Sequence, residues 1–290
     1  TAAMAARLWN ISWGLPDVFE EAMPFTVARN FWGTPGGGIS FHPDFFHYPA
    51  FSFYVHFVVQ AVQFLAGSIS GQFGSLDAFR SAMETDPGAF MTAARMLSVL
   101  FDVGTVGVVW VTAREIFGRG SAIGAALLAA LNPLLIAGAQ GVNVDVILTF
   151  FLMMTLRHAL KLSGYAGPRE FVLTGVMIGL AASAKYTGVL FLALPVFVIT
   201  ADFASGTART FRFALRKIGL AILIPLIAAA VFAALNPFIA LDQSGFLRDF
   251  SYEQHHMSYG HLGLDAGQST AGFYLVGTLA PKLGLVLLAG

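Results

Sequence analysis

Residues 90–112 read FMTAARMLSVLFDVGTVGVVWVT. At 1.5 Å of rise per residue, a helix of this length covers the roughly 30 Å of a bilayer's hydrocarbon core. Its polar residues Arg95, Ser98, Asp102 and Thr105 recur at helical spacing, drawing one polar stripe on an apolar cylinder. Charges at membrane depth are costly and normally face a bundle interior or a watery cavity. The stretch therefore predicts a membrane-spanning helix with an inward polar face. Asp102 lies deep and needs a partner, most simply a structural ion pair. Arg95 lies nearer one end, in reach of an anionic headgroup.

The rest of the chain agrees. Of its 290 residues 57% are hydrophobic and 11% charged, against about 45–50% and about 25% in soluble domains. Mean hydropathy is +0.73. A soluble globular enzyme is excluded. Sixteen basic and sixteen acidic residues leave no net charge, which argues against nucleic acid as a partner. With no cysteine there is no disulfide, thiolate nucleophile or Cys-ligated metal. The opening TAAMAARLWNISWGLPD reads as the last turns of a helix and then a loop, and GLVLLAG closes in mid-hydrophobic run. Both ends are expected to be cut from a longer protein.

Hydropathy predicts spans near 90–112, 121–140, 143–160, 171–184, 187–203, 218–240 and 272–290, with a remnant before residue 12, all in one membrane domain over 1–290. The loops at 113–120, 157–170 and 204–217 hold Arg114, Arg119, Arg157, Lys161, Arg169, Arg209, Arg212, Arg216 and Lys217, nine of the sixteen Lys and Arg residues. The positive-inside rule assigns these loops to the cytoplasm. The long loops 13–89 and 236–271 then fall outside. Because both flanks of 171–203 are basic, the chain must cross twice there, which places Lys185 at an external turn. Residues 50–67, AFSFYVHFVVQAVQFLAG, are long enough to span, but Ser52, His56, Gln60 and Gln63 step by 4, 4 and 3 along one face. One polar face reads as a helix lying in the interface, a juxtamembrane helix of the first external loop.

Candidate chemistry collects outside. Asp17, Glu20 and Glu21 follow directly on a membrane helix. Such carboxylates serve as general base or metal ligand, and equally as a helix cap, with Asp17 capping a helix from Val18 and Glu20 completing the box. TPGGG at 34–38 lacks the Lys-Ser/Thr of a phosphate loop and is a flexible connection. Asn143 and Asp145 open the helix after Asn132-Pro133, where Asp145 suits the helix dipole as well as a site. Lys185 stands apart from the basic loops. It can snorkel to lipid phosphate or pair with Asp145 or an anionic ligand. The second loop offers Arg248, Asp249, Tyr252, Glu253, His255, His256, Tyr259, His261 and Asp265. Six of the seven histidines are on the outer side, yet no HExxH spacing occurs, so a divalent metal is possible but is not the leading reading. Aromatics, carboxylates and imidazoles from two loops equally suit a sugar-binding cleft.

The order of these features resembles the GT-C superfamily of polyprenyl-phosphate-sugar-dependent glycosyltransferases, nearest the protein-mannosyltransferase-like and aminoarabinose-transferase-like families. The residues that carry it are PD with acids behind it, FHYPAFSFYVHF, AARMLSVLFDVGTVGVVWVTAREIFG, ALNPLLIAGAQGVNVDVILTFF, GLAASAKYTGVLFLALP, LNPF and YEQHHMSYGHLGL. The resemblance implies an all-α integral membrane protein, a multi-span GT-C-type bundle. It implies inverting transfer of a sugar from polyprenyl phosphate to a hydroxyl on protein, lipid or glycan. It further implies a place in the cell envelope, in a bacterial inner membrane with the site facing periplasm or exterior, among membrane lipid and a potential membrane-complex partner. Asp17 matches the family's first-loop base, with Glu21 in reserve and Glu20 beside them. Lys185, Arg95, Asp145, Arg248, Glu253, His255, His256, His261, Tyr48 and His47 are the substrate-binding candidates. Where the family shows adjacent Asp-Glu, this chain has Asp17-Val18. A non-catalytic membrane subunit on the same fold and a transporter are the competing readings.

Overall fold

Arg7 shows how the deciding stretch continues. Its buried guanidinium pairs with Asp102 and donates to the carbonyl of Ala130 at 2.8 Å. Those two partners sit on opposite sides of Gly118, where the helix Pro87–Leu131 is interrupted at φ 85°. The chain therefore doubles back at Gly118, a conformation glycine adopts at little cost. In the computed structural model, which describes residues 2–17, 22–164, 166–206 and 210–259 (side chains at 22 and 256–259 aside), this 45-residue element is α5.

Before it come α1 (Ala2–Leu8), α2 (Ala22–Asn30), α3 (Phe51–Ile69) and α4 (Leu76–Thr85). After it come α6 (Pro133–Ala139), α7 (Val144–Leu160), α8 (Pro168–Ala184), a 3-10 turn (Tyr186–Leu192), α9 (Ala193–Ala204), α10 (Phe211–Leu235), α11 (Phe238–Leu241) and α12 (Gln243–Tyr259). The described residues form no strand. Four helices are long and apolar enough to cross a membrane: Phe51–Ile69, Pro87–Leu131, Tyr186–Ala204 and Phe211–Leu235. The chain divides into a compact unit of Thr1–Gln243 and a second beginning at Ser244. The expected span 272–290 lies outside the described residues.

Several expectations are corrected. Residues 113–117 are not a loop, because α5 runs through them as helix until Gly118 alone breaks it. The expected span 121–140 is not continuous. Asn132 leaves helical geometry, and its Oδ1 accepts from the amides of Leu134 and Leu135 at 2.9 and 3.2 Å, starting α6 afresh ahead of Pro133. Residues 238–259, expected in a loop, are largely helical. The polar face of α3 is not wet. Ser52, His56 and Gln60 are buried, and Gln60 accepts from Trp32 Nε1 at 2.9 Å while donating to the Phe25 carbonyl. What α3 exposes instead is the apolar row Val58, Val62, Leu65 and Ile69, the surface expected to meet lipid.

The two ends of the bundle carry different chemistry. At one end Glu115 holds Arg157 at 2.5 Å and Lys161 at 3.2 Å, and His158 contacts Glu170 at 2.8 Å. There too Asp202 pairs with Lys217 and accepts from Ser163 and the Gly164 amide, each at 2.8 Å. These contacts gather the three basic segments at one end. Between the ends, α8 and α10 pack backbone to backbone. A Cβ at Gly179 would come within 2.6 Å of Val231 Cβ and 2.8 Å of the Ala228 carbonyl, and one at Gly175 within 2.8 Å of the Ile224 carbonyl. The small-xxx-small spacing provides the close approach that dispersion between apolar helices requires.

Candidate functional site

The other end of the bundle is built from chain reversals tied by polar groups. α8 stops at Ala184, Lys185 is extended (φ −152°, ψ 137°), and the 3-10 turn begins at Tyr186. This puts Lys185 on a reversal, as its flanking basic segments predict. Lys185 Nζ donates to Asp145 Oδ1 at 2.7 Å. Asp145 is held by its own helix start, since Asn143 caps α7 by accepting from the Asp145 amide at 2.8 Å. Both charges remain solvent-accessible, at 32% for Lys185 and 53% for Asp145. The pair is open to a ligand.

The segment carrying Asp17 is anchored beside that reversal. Arg95, buried on α5, donates to the carbonyls of Ile11 and Trp13 at 2.5 and 2.7 Å. Gln140 Nε2 donates to the Trp9 carbonyl at 2.8 Å, three residues before the Asn143 cap. Arg95 thus holds the turn rather than reaching outward toward a headgroup. Trp9 and Trp13 project from it, 80% and 71% exposed. Asp17 itself is exposed, and its amide donates to the Gly14 carbonyl at 3.0 Å. Among the described residues none donates to its carboxylate, and α2 begins at Ala22 rather than Val18. Glu20 and Glu21 lie outside the described residues.

The first long connection reaches the reversals directly. Tyr186 donates its hydroxyl to the Phe46 carbonyl at 3.0 Å. Asn236, at the end of α10, accepts from the Ala50 amide at 2.7 Å and donates to Ser183 Oγ at 3.1 Å. His42 bridges the two long segments: Nδ1 lies 2.9 Å from Asp44, and Nε2 lies 3.3 Å from Asp242. Tyr48 lines a narrow cleft of about 180 Å³ with Pro49, Tyr186 and Phe238. The half-buried His47 rests against the Phe45 ring, with centroids 4.8 Å apart. Arg248, Glu253 and His255 stand on α12 in the second unit, where Arg248 pairs with its neighbour Asp249 at 2.9 Å and His255 Nδ1 lies 3.0 Å from the Ser251 carbonyl. The His256 side chain, His261 and Asp265 fall outside the described residues.

Sequence reasoning missed Arg7, His42, Gln140, Tyr186 and Asn236. Asn236 had a visible signal, an Asn-Pro closing a hydrophobic run like Asn132-Pro133, whereas the other four bond to groups far along the chain. Among the described residues no group of three or more His, Asp or Glu side chains is arranged to hold a metal ion.

Fold and site define an integral membrane protein with ion-paired polar reversals at one end and a basic cluster at the other. Residues 87–234 match the sequence model of the dolichyl-phosphate-mannose-protein mannosyltransferases. The chain belongs to that family and is a membrane glycosyltransferase of the GT-C type. The match runs from α5 to α10 and includes Arg95, Asp145 and Lys185, while Asp17 precedes it. Neither curated proteins nor solved structures gave a match.

Proposed function

We propose that this glycosyltransferase moves a sugar, with inversion, from a polyprenyl-phosphate donor to a hydroxyl acceptor at the extracytoplasmic face of a bacterial inner membrane. The observation that carries the reading is the solvent-accessible Lys185–Asp145 pair, at the end of the bundle opposite the basic cluster. A departing phosphate gathers negative charge and needs a fixed cation. Lys185 supplies it, and Asp145 keeps the ammonium in place until the phosphate takes over. Asp17 accepts the proton of the attacking hydroxyl, with Glu21 or Glu20 as its deputy. As the sugar–oxygen bond to the acceptor forms, the bond to phosphate breaks, and the phosphate leaves on the prenyl carrier. Arg95 acts on the reaction only through the turn it holds. His47, Tyr48, Arg248, Glu253, His255, His256 and His261 are the residues from which the sugar and acceptor contacts are drawn. The reaction as written requires no cofactor.

The orientation rests on the basic cluster facing the cytoplasm. Phe51, at the start of α3, packs on Phe151, which also meets Phe101, while Phe73 just beyond its end stacks on Phe90. The helix therefore runs back along the first part of α5, as a juxtamembrane helix bordering the lipid tail would.

The test is turnover of purified protein with a panel of polyprenyl-phosphate sugars. Asp17→Asn keeps size and hydrogen bonding but removes the base, so turnover falls by about 10²–10⁴-fold while folding and donor binding hold. An active Asn variant beside a dead Glu21→Gln moves the role to Glu21. If both retain full activity, the mechanism is wrong.

A further inference from the structure

A groove of about 1080 Å³ opens between the C-terminal half of α3 and the corner joining α4 to α5. Its chemistry differs from that of the Lys185 reversal. The polar groups on its walls are Gln63, Ser70, Gln72, Thr85 and Asp86, and no Lys, Arg or His lines it. Two of its acceptors are idle. The Oε1 of Gln63 is sealed from solvent without a partner, and a shielded polar atom left without a hydrogen bond costs free energy that a donor recovers. Asp86 occupies the N-cap position of α5, yet its side chain makes no capping bond. Between the polar groups lie Phe73 and Phe90, stacked at 6.3 Å, with Ala66, Ala82 and Ala89 giving a flat apolar floor.

An acceptor-rich wall over an apolar floor, without a cation, excludes a phosphate ligand and fits a neutral ligand bearing many hydroxyls. We propose that this groove binds a short neutral oligosaccharide, with hydroxyls donating to Gln63, Gln72 and Asp86 and the C–H face of a ring on the floor. The groove adjoins the candidate site. Phe73 and Phe90 belong to the same core cluster as Leu15, two residues before Asp17. An oligosaccharide seated there extends from the acceptor side. The binding claim rests on the groove's own lining and not on which residue is the base.

The test is saturation-transfer NMR with mannotriose on the full chain in nanodiscs, with trigalacturonic acid as the anionic control. The expected result is saturation of mannotriose C–H protons by the wild type and by Asp17→Asn, with little from the anionic sugar. Gln63→Leu and Asp86→Ala should each weaken binding about tenfold, and Ser70→Trp should abolish it by filling the groove, all with unchanged melting temperatures. If mannotriose gives no transfer, if the three variants bind it like wild type, or if the anionic sugar binds as well, the proposal falls. Binding without transferase activity overturns the proposed function and leaves the groove standing. Transferase activity without binding does the reverse.

Discussion

Asp102 and Arg7 illustrate what a residue at membrane depth needs. Both are essentially sealed from solvent and paired, and removing one partner strands a buried charge at a cost of about 3–5 kcal/mol. Asp102→Asn should therefore lower the thermal midpoint of the detergent-solubilised protein sharply, and Arg7→Met with Asp102→Leu should recover most of it. Lys185 and Asp145 form the opposite kind of pair, exposed and exchangeable. Lys185→Gln should weaken binding of polyprenyl phosphate, whereas Asp145→Asn, which frees the ammonium, should tighten it. Equilibrium titration reads both signs, and equal losses in the two variants would make the pair merely structural. From sequence, Asp102's need for a partner was plain and Lys185's proximity to Asp145 was inferable. That Arg7 supplies the partner was not, because nothing local links residues so distant along the chain.

At the scale of elements, two glycine sites carry the packing. Gly179→Val would drive side-chain atoms into Val231 and the Ala228 carbonyl. Overpacking of this kind costs about 1–3 kcal/mol, so α8 and α10 should separate, seen as a lower melting temperature with bound lipid retained. Gly118→Ala meets open space but keeps a positive φ, so a backbone penalty of about 1–2 kcal/mol is expected without loss of packing. Helix existence was legible from hydropathy for α5, α7, α8, α9 and α10. The doubling back at Gly118 was not, since glycine is common within membrane helices and only the shared contacts of Arg7 reveal a turn. The stripe on α3 was legible as a pattern, while its direction depends on whether water or a Trp32 indole waits opposite.

Across the whole molecule, the separation of the basic end from the reversal end predicts sidedness. In the cysteine-free chain, Ser81→Cys should be labelled by an impermeant maleimide from the extracytoplasmic side of intact cells, and Arg169→Cys only after permeabilisation. Labelling of both from one side would overturn the orientation. The sequence by itself determined that this is a helical membrane protein, which segments are apolar enough to be buried in lipid, and which end carries the basic loops, because hydropathy and charge act on each segment locally. Tertiary structure alone decided that Arg95 is consumed in holding the Asp17 turn, and that His42, Tyr186 and Asn236 join the first long connection to the helix reversals. A hydrogen bond is satisfied by whichever partner the fold brings within 3 Å, and sequence spacing does not record that partner.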